Sequence, residues 1–317
     1  MEEIQVNDLI LSKPLPLDQN AGAVYIASLT AKSGQRTQAQ ALRVIAEIFH
    51  ADLTNFNWDA LRYQHTAAIR AELAKKYSPA SANKMMSALR QALKQSWLLG
   101  RMKVEDYMRA IEIERITGNT IPAGREILQD EIRALFDACK RDTTPAGTRD
   151  AAIIGVLYVA GLRRQEIVDL SLGSFDRDSG QLFLTGKRNK QRTAYVTNGA
   201  LAALLDWLQL RGEKDDALFV AINRGGNINT SKQMSSQAIY NMLQKRGEEA
   251  GLKDFSPHDF RRTVIGDLLA AGVDISVVSK MMGHANVQTT ARYDRRPEEA
   301  KKKAAGLLHV PYVSKKK

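Results

Sequence analysis

The sequence has a single cysteine and no long apolar run. Cys139 lies among apolar residues of a predicted helix, so a disulfide framework and a cysteine-rich zinc site are both excluded. No apolar stretch approaches the length that a membrane-spanning helix needs, and the acidic start MEEIQV lacks the basic and then apolar order of a signal peptide. We therefore expect a globular, cytoplasmic protein without a membrane partner.

Motifs of metal-dependent hydrolases and nucleotide-binding proteins are also missing. The sequence contains no HExxH, no P-loop, no carboxylate cluster and no glycine-rich nucleotide loop. Neither metal-assisted hydrolysis nor nucleotide binding has a recognisable site. We therefore expect no metal and no other cofactor.

The charge balance is strongly basic. The 317 residues include 46 lysines and arginines against 35 acidic residues, which gives a formal net charge of +11. Such a balance favours a polyanionic partner such as nucleic acid. The length is enough for about two domains.

Helical periodicity dominates the first half of the chain. After an irregular, loosely held arm over residues 1–20, apolar residues recur at helical spacing over 21–110, and strand signals are nearly absent. We expect a small helical bundle here. Basic residues on its outer faces could line a DNA backbone, although solvation explains them equally well. The candidates for DNA contact are Arg43, Lys84, Arg90 and Lys94.

The second half is predicted to combine helices with a small sheet. Residues 111–126 contain glycine and proline without apolar periodicity and are interpreted as a linker. In the following domain, 127–310, short strands over 181–185 and 192–196 should form a hairpin, after which helices return nearly to the end. Residues 311–317 form a basic tail. The expected fold class is mainly α, with a helical bundle followed by an α+β domain that carries a small antiparallel sheet.

The stretch SPHDFRRT, residues 256–263, predicts the start of a helix. Ser256 suits the N-cap, and Asp259 has the spacing of a capping box. One helical turn brings His258 and Arg261 together near the positive end of the helix dipole, where an arginine fork fits phosphate oxygens. Taken alone, however, this octapeptide is more simply explained as a solvated polar face.

The reactive side chains of the second half suit metal-free attack on a phosphodiester. Arginines would neutralise the non-bridging oxygens in the transition state. A tyrosine would supply the nucleophilic oxygen, and a lysine could protonate the leaving alcohol. A phosphotyrosine link would conserve the bond energy, so that rejoining would need no ATP. In chain order the residues are Arg163, Lys187, His258, Arg261, His284 and Tyr293.

Four motifs, in this order, resemble those of the tyrosine recombinases, also called the phage integrase family. GLRRQEI resembles the first arginine motif, GKRNK the lysine hairpin, PHDFRRT the His-x-x-Arg box, and MMGHANVQTTARY the final histidine and tyrosine motif. The resemblance covers residues 127–308 and, more loosely, the helical first half. It implies a core-binding domain over 21–110 and a catalytic domain of the DNA breaking-rejoining fold over 127–310.

The resemblance also implies a role for each matching residue. Tyr293 would form a 3′-phosphotyrosyl bond and release a 5′-hydroxyl. Arg163 and Arg261 would clamp the phosphate. Lys187 would act as the acid towards the leaving 5′ oxygen.

The two histidines and one carboxylate complete the implied site. His258 would handle the proton of the tyrosine, and His284 would be a further phosphate ligand. Glu166 would orient the first arginine of the site. Arg188, Lys190 and Arg262 would contact DNA, and Arg262 departs from the family pattern because histidine is common at its position.

The implied function is site-specific DNA recombination through a Holliday junction, without metal or ATP. Four protomers would synapse two double-stranded DNA sites, monomers would predominate without DNA, and accessory proteins are compatible with the chemistry. The chain resembles the simple two-domain recombinases of the Xer or mobile-element type, so integration, excision and multimer resolution all stay open. A basic helix from Glu298 would pack on its own domain or on a neighbour.

Two other functions would fit the same residues less well. A non-cutting DNA-binding protein of the same fold would have no need of Tyr293. A type IB topoisomerase would share the chemistry but relax supercoils without pairing sites.

Overall fold

The computed structural model of the protein describes residues 9–118, 124–185, 191–214, 216–294, 302 and 305–308. The chain divides into two compact units, Met1–Pro122 and Ala123–Lys317. The finer domain boundaries given above stay predictions. The predicted basic residues Lys187, Arg188 and Lys190 and the tail 311–317 lie outside the described residues.

The described part of the first unit is helical. Its long helix α4 begins where the sequence provides a cap, since the Ser78 hydroxyl accepts a hydrogen bond from the Ser81 N–H and Pro79 occupies the first turn. Apolar residues at helical spacing then face a core shared by the other helices. The helices are α1 (Ala21–Ala27), α2 (Lys32–Glu47), α3 (Tyr63–Lys76), α4 (Pro79–Leu98) and α5 (Val104–Ile111).

The residues ahead of α1 are irregular but are fixed to the bundle. Leu9 is fully buried, and its carbonyl accepts a hydrogen bond of 2.9 Å from the Asn57 N–H. The Leu11 N–H donates to the Asn55 carbonyl at 2.8 Å. The prediction of a loosely held arm is therefore wrong for residues 9–11, because an apolar anchor and paired backbone hold them in place.

The second unit packs helices around a short antiparallel sheet. Helix α7 is buried along nearly its whole length and contributes to the largest core of the unit. The helices are α6 (Gln129–Arg141), α7 (Pro145–Ala160), α8 (Arg164–Val168), α9 (Asn198–Arg211), α10 (Ser236–Glu249), α11 (Pro257–Ala270), α12 (Ile275–Met282) and α13 (Val287–Ala291). This arrangement confirms the predicted mainly helical class with a small antiparallel sheet.

Strands β1 (Phe175–Asp176), β2 (Gln181–Thr185) and β3 (Gln191–Tyr195) form one sheet in that order. The predicted pairing of the second and third strands is confirmed, with Leu182 opposite Ala194. Strands β4 (Val220–Ile222) and β5 (Ile228–Gln233) form a separate hairpin. The prediction that only helices follow the first hairpin is therefore wrong. The sequence INTSKQ of β5 lacks the alternation of apolar residues by which a strand is recognised.

Helix α11 begins as the sequence predicts. The Asp259 carboxylate accepts hydrogen bonds from the Ser256 N–H at 2.8 Å and from the Ser256 hydroxyl at 2.9 Å, which completes the N-terminal cap. Along its other face, α11 packs against α12 in a small apolar cluster. This packing fixes the position of α11, which carries the His-x-x-Arg box, relative to α12, which leads into the final histidine.

A buried ion network ties α6, α7 and α10 together. Arg246, which is 1% exposed, donates from Nε to Asp150 Oδ2 at 2.9 Å and from a terminal nitrogen to the Asp142 carboxylate. The other oxygen of Asp150 accepts two hydrogen bonds from Arg149. Among the described residues no helix is both long and apolar enough to cross a membrane.

We expect Asp150→Asn to lower the free energy of unfolding by about 3 kcal/mol, because the change leaves two buried guanidiniums facing an uncharged amide. Equilibrium unfolding in urea measures this loss. The matched control is Asp130→Asn, which removes an exposed ion pair of 3.3 Å with Arg133 and should cause no measurable loss. Equal effects of the two substitutions would show that the buried network does not stabilise the fold.

Candidate active site

Two helices end at the centre of the candidate site, and one arginine contacts both ends. Helices α7 and α12 are each closed by a glycine in the left-handed conformation, Gly161 (φ 58°) and Gly283 (φ 62°). Arg261 donates from one terminal nitrogen to the Gly161 carbonyl at 2.7 Å and from the other to the Met282 carbonyl. Because helix C-termini carry partial negative charge, their carbonyls stabilise the cation.

Burial distinguishes Arg261 from the surface residue that the sequence suggested. Its side chain was expected on a polar face beside His258, yet Arg261 is only 2% exposed while His258 is exposed. Its two described hydrogen bonds use two of the five N–H groups of the guanidinium. Arg261 is therefore rigidly placed and retains donors for a ligand.

Glu166 is shared by two arginines. Arg163 is the N-cap residue of α8; its backbone N–H donates to Glu166 Oε2 at 2.8 Å, and its guanidinium donates to Oε1 at 2.7 Å. Arg192 on β3 donates to Oε2 at 2.7 Å. Burial alone would raise the pKa of Glu166, but the Arg163 N–H and the charges of Arg192 and Arg163 hold that pKa below its ordinary value.

Arg192 was missed by the sequence reasoning, which treated RTAYV only as a strand. In the register of β2 and β3, Arg192 lies opposite Leu184, whose side chain is buried. Arg192 therefore occupies an inward-facing position, two residues before the buried Ala194. An arginine at a core-facing strand position was the signal that could have identified it.

His284 lies directly after the end of α12. Its Nδ1 is 2.8 Å from the hydroxyl of Thr290, a fully buried residue of α13. Burial and the nearby guanidiniums of Arg261, Arg163 and Arg192 lower the pKa of His284 to about 4. At neutral pH the imidazole is therefore uncharged, and if the Thr290 hydroxyl donates to Nδ1, the Nε2 atom carries the hydrogen and can donate to a ligand.

Tyr293 follows α13 and contacts α11. Its hydroxyl oxygen is 2.9 Å from His258 Nε2, and the Arg262 guanidinium lies over its ring, 5.4 Å from the ring centroid. Partial desolvation of the imidazole, whose residue is exposed as a whole, and the charges of Arg261 and Arg262 lower the pKa of His258, which favours its neutral form. The pair thus joins a phenol to an imidazole that can accept its proton.

Electrostatics joins these contacts into one site. Burial and the charge of Arg163 lower the pKa of Arg261 to about 10. Several positive charges therefore lie close together in a partly desolvated site, which favours the binding of an anion with several oxygens. The structure brings together Arg163, Glu166, His258, Arg261, His284 and Tyr293.

The predicted DNA contacts of the first unit have different surroundings. Arg43, Lys84 and Lys94 are exposed. The guanidinium of Arg90 instead donates to the Ile111 and Ile113 carbonyls at the end of α5. Arg90 therefore helps to close the helical bundle.

Comparisons with known proteins identify the class. The model of the phage integrase family matches residues 125–299. The tyrosine recombinase XerC of Alcanivorax borkumensis is 30% identical over 244 residues, which cover 74% of this chain and 76% of that protein. The tyrosine recombinase XerC of Serratia marcescens is 31% identical over 277 residues, 84% of each chain.

Solved structures share the fold. The Tn1549 transposon integrase, in complex with transposon right end DNA, matches with a TM-score of 0.70 at 14% identity over 92% of this chain and 99% of that one. The XerH site-specific recombinase bound to palindromic difH substrate matches with a TM-score of 0.63 at 17% identity, over 96% and 92%. Fold and sequence together define the class of tyrosine recombinases. This chain belongs to the phage integrase family.

We expect an NMR titration to give His284 a pKa of about 4, because burial and three guanidiniums oppose its protonation. Added sulfate, a tetrahedral dianion, should raise this pKa, since negative charge in the cluster stabilises the imidazolium. The spectrum of His284→Gln assigns the signal. A pKa at or above 6.5, or one that sulfate leaves unchanged, would contradict an anion site at this position.

Proposed function

We propose that this protein is a site-specific DNA recombinase that cuts and rejoins strands through Tyr293. The observation that carries the proposal is the contact of 2.9 Å between the Tyr293 hydroxyl and His258 Nε2, beside the arginine cluster. A phenol hydrogen-bonded to a neutral imidazole is an activated nucleophile. Binding of DNA alone would not require that pair.

In the proposed first step, a phosphodiester lies against Arg163, Arg261 and His284. Tyr293 Oη attacks phosphorus while His258 accepts the phenolic proton, so that a bond from oxygen to phosphorus forms. The bond from phosphorus to the 5′ oxygen breaks. The arginines stabilise the charge that grows on the non-bridging oxygens.

Protonation of the leaving 5′ oxygen is assigned to Lys187 on the family motif. The product is a 3′-phosphotyrosyl link and a free 5′-hydroxyl. Attack by a 5′-hydroxyl of the partner strand reverses the step, with Tyr293 leaving and recovering a proton. The bond energy is conserved, so the cycle consumes no ATP and passes through a Holliday junction when the first strand pair has exchanged.

Double-stranded DNA is the proposed partner. Arg43, Lys84 and Lys94 are exposed on the helical first unit and would contact backbone phosphates, as would Arg188 and Lys190. We assign Arg90 a smaller part, because its guanidinium already binds two carbonyls. Arg262, which stacks on Tyr293, would contact DNA at the site itself.

The proposed oligomeric state and cellular location follow from the same chemistry. Two DNA sites with two strands each require four tyrosines, so we propose a tetramer on DNA formed from monomers, with accessory proteins setting the direction where needed. As its substrate is chromosomal, plasmid or mobile-element DNA, we place the protein in the bacterial cytoplasm. Integration, excision and multimer resolution use the same steps, and the products identify which task applies.

Covalent trapping tests the nucleophile. We expect the wild-type protein to form a denaturant-resistant adduct in EDTA with nicked duplexes tiled from the DNA that flanks its gene, because a nick lets the leaving strand diffuse away. Tyr293→Phe should form no adduct and still bind the duplex with similar affinity. Gel electrophoresis under denaturing conditions measures the adduct, and a mobility shift in a native gel measures the binding of the duplex.

The matched control is Tyr195→Phe, which changes an exposed tyrosine of the same unit that hydrogen-bonds to Gln181. This variant should form the adduct at the wild-type rate. If the wild type binds DNA tightly and forms no adduct, a non-cutting DNA-binding protein is the better reading. Relaxation of supercoiled plasmids irrespective of sequence, without recombinant products, would instead indicate a type IB topoisomerase.

A further inference from the structure

Arg192 lies outside the motifs that predicted the site, yet it contacts two of them. It is on β3, directly after the segment that contains Lys187. From one terminal nitrogen it donates to Glu166 Oε2 at 2.7 Å, and from the other to the Met281 carbonyl at 2.7 Å. These contacts join strand β3, the first arginine motif and the end of α12.

The end of α12 is shaped to admit this side chain. A Cβ atom at Gly283 would lie 2.8 Å from Arg192 Cδ and 2.9 Å from Nε, which is closer than real side chains approach. Two successive carbonyls of α12 each accept a hydrogen bond from a guanidinium. The Met281 carbonyl accepts from Arg192, and the Met282 carbonyl accepts from Arg261. Two arginines from different elements thus hold the helix end that precedes His284.

Arg192 is less well placed than Arg163 for a direct contact with DNA. The Arg192 side chain is 13% exposed, whereas that of Arg163 is 46% exposed. Both terminal nitrogens of Arg192 already donate to protein acceptors. Arg192 is therefore more deeply buried than Arg163 and less available to bind a phosphate.

We propose that Arg192 is a positioning residue for DNA cleavage, which holds Glu166 and the end of α12 so that Arg163 and His284 face the same phosphate. This inference rests on the proposed function. Arg192 acts through Glu166 on Arg163 and through the Met281 carbonyl on His284. Only a guanidinium has two parallel nitrogens that reach both acceptors at once, so a lysine cannot replace both contacts.

The experiment compares Arg192→Met, Arg192→Lys, Glu166→Gln and the double variant Glu166→Gln/Arg192→Met in the full chain. The same nicked duplex that traps the wild type gives the rate of adduct formation at saturating DNA and, with unreactive Tyr293→Phe versions, the Kd. We expect Arg192→Met to slow adduct formation by about 100-fold, since small misplacements of catalytic groups cost about that much. The Kd should stay within about threefold, because ground-state binding is not lost.

The double variant tests whether Arg192 acts by positioning Glu166 or acts independently of it. We expect the two losses to be less than multiplicative in the double variant, because Glu166→Gln already removes the part of the Arg192 effect that passes through the carboxylate, while the part that passes through the Met281 carbonyl remains. Arg192→Lys should retain part of the rate. The matched control is Arg177→Met, which removes an arginine of the same unit that pairs with Glu213 at 2.9 Å and is 48% exposed, and it should cleave like the wild type.

Three results would overturn the proposal. These are an unchanged rate in Arg192→Met, a parallel loss of rate and DNA affinity, and fully multiplicative losses in the double variant. Thermal unfolding of each variant checks folding, and if Arg192→Met does not fold, Arg192→Lys and its double variant with Glu166→Gln decide by the same criteria. Absence of an adduct from the wild type would instead refute the proposed function, and with it this inference.

Discussion

The structure of the site depends on how one buried guanidinium is held. Arg261 is 2% exposed and donates to the Gly161 and Met282 carbonyls. A buried cation is costly unless acceptors surround it, and the C-terminal ends of two helices supply both acceptors and partial negative charge. The end of α7 leads directly into Arg163, and the end of α12 leads into His284. The two hydrogen bonds of this one guanidinium therefore help to set the distance between the two segments that would hold the phosphate.

The same packing keeps positive charge close together at an energetic cost. Burial, together with the charge of neighbouring guanidiniums, lowers the pKa of Arg261 to about 10 and that of His284 to about 4. A phosphodiester would relieve this repulsion, and more so when charge accumulates on its oxygens in the transition state. Because the donors are already fixed by helix ends and by Glu166, little reorganisation is needed when the charge develops. The electrostatic repulsion in the free protein therefore favours binding of the phosphodiester and of its transition state in the reaction that we propose.

Local patterns made much of the fold predictable. The capping box at Ser256 and the alternation in QLFLT act over a few residues, so the start of α11 and strand β2 could be predicted from the sequence. Strands β4 and β5 were missed because INTSKQ is polar and mostly exposed, although the NRGG turn ahead of it was a usable signal. Arg192 was missed because its importance depends on contacts with Glu166 and with the Met281 carbonyl, which belong to segments distant in sequence.

By itself, the sequence determined the family, the mainly helical class and the order of the reactive residues. Helix caps, periodicity and the spacing of residues within a motif are local properties, and each can be recognised in a stretch of about one or two helical turns. Only the tertiary structure decided that Arg261 is buried between two helix ends, that Arg163 and Arg192 share Glu166, and that Tyr293 meets His258. These contacts join residues that are distant in sequence, such as Arg261 and Gly161 at a separation of 100 positions. Their geometry depends on the packing of whole helices against a common core, and no short stretch of sequence encodes that packing.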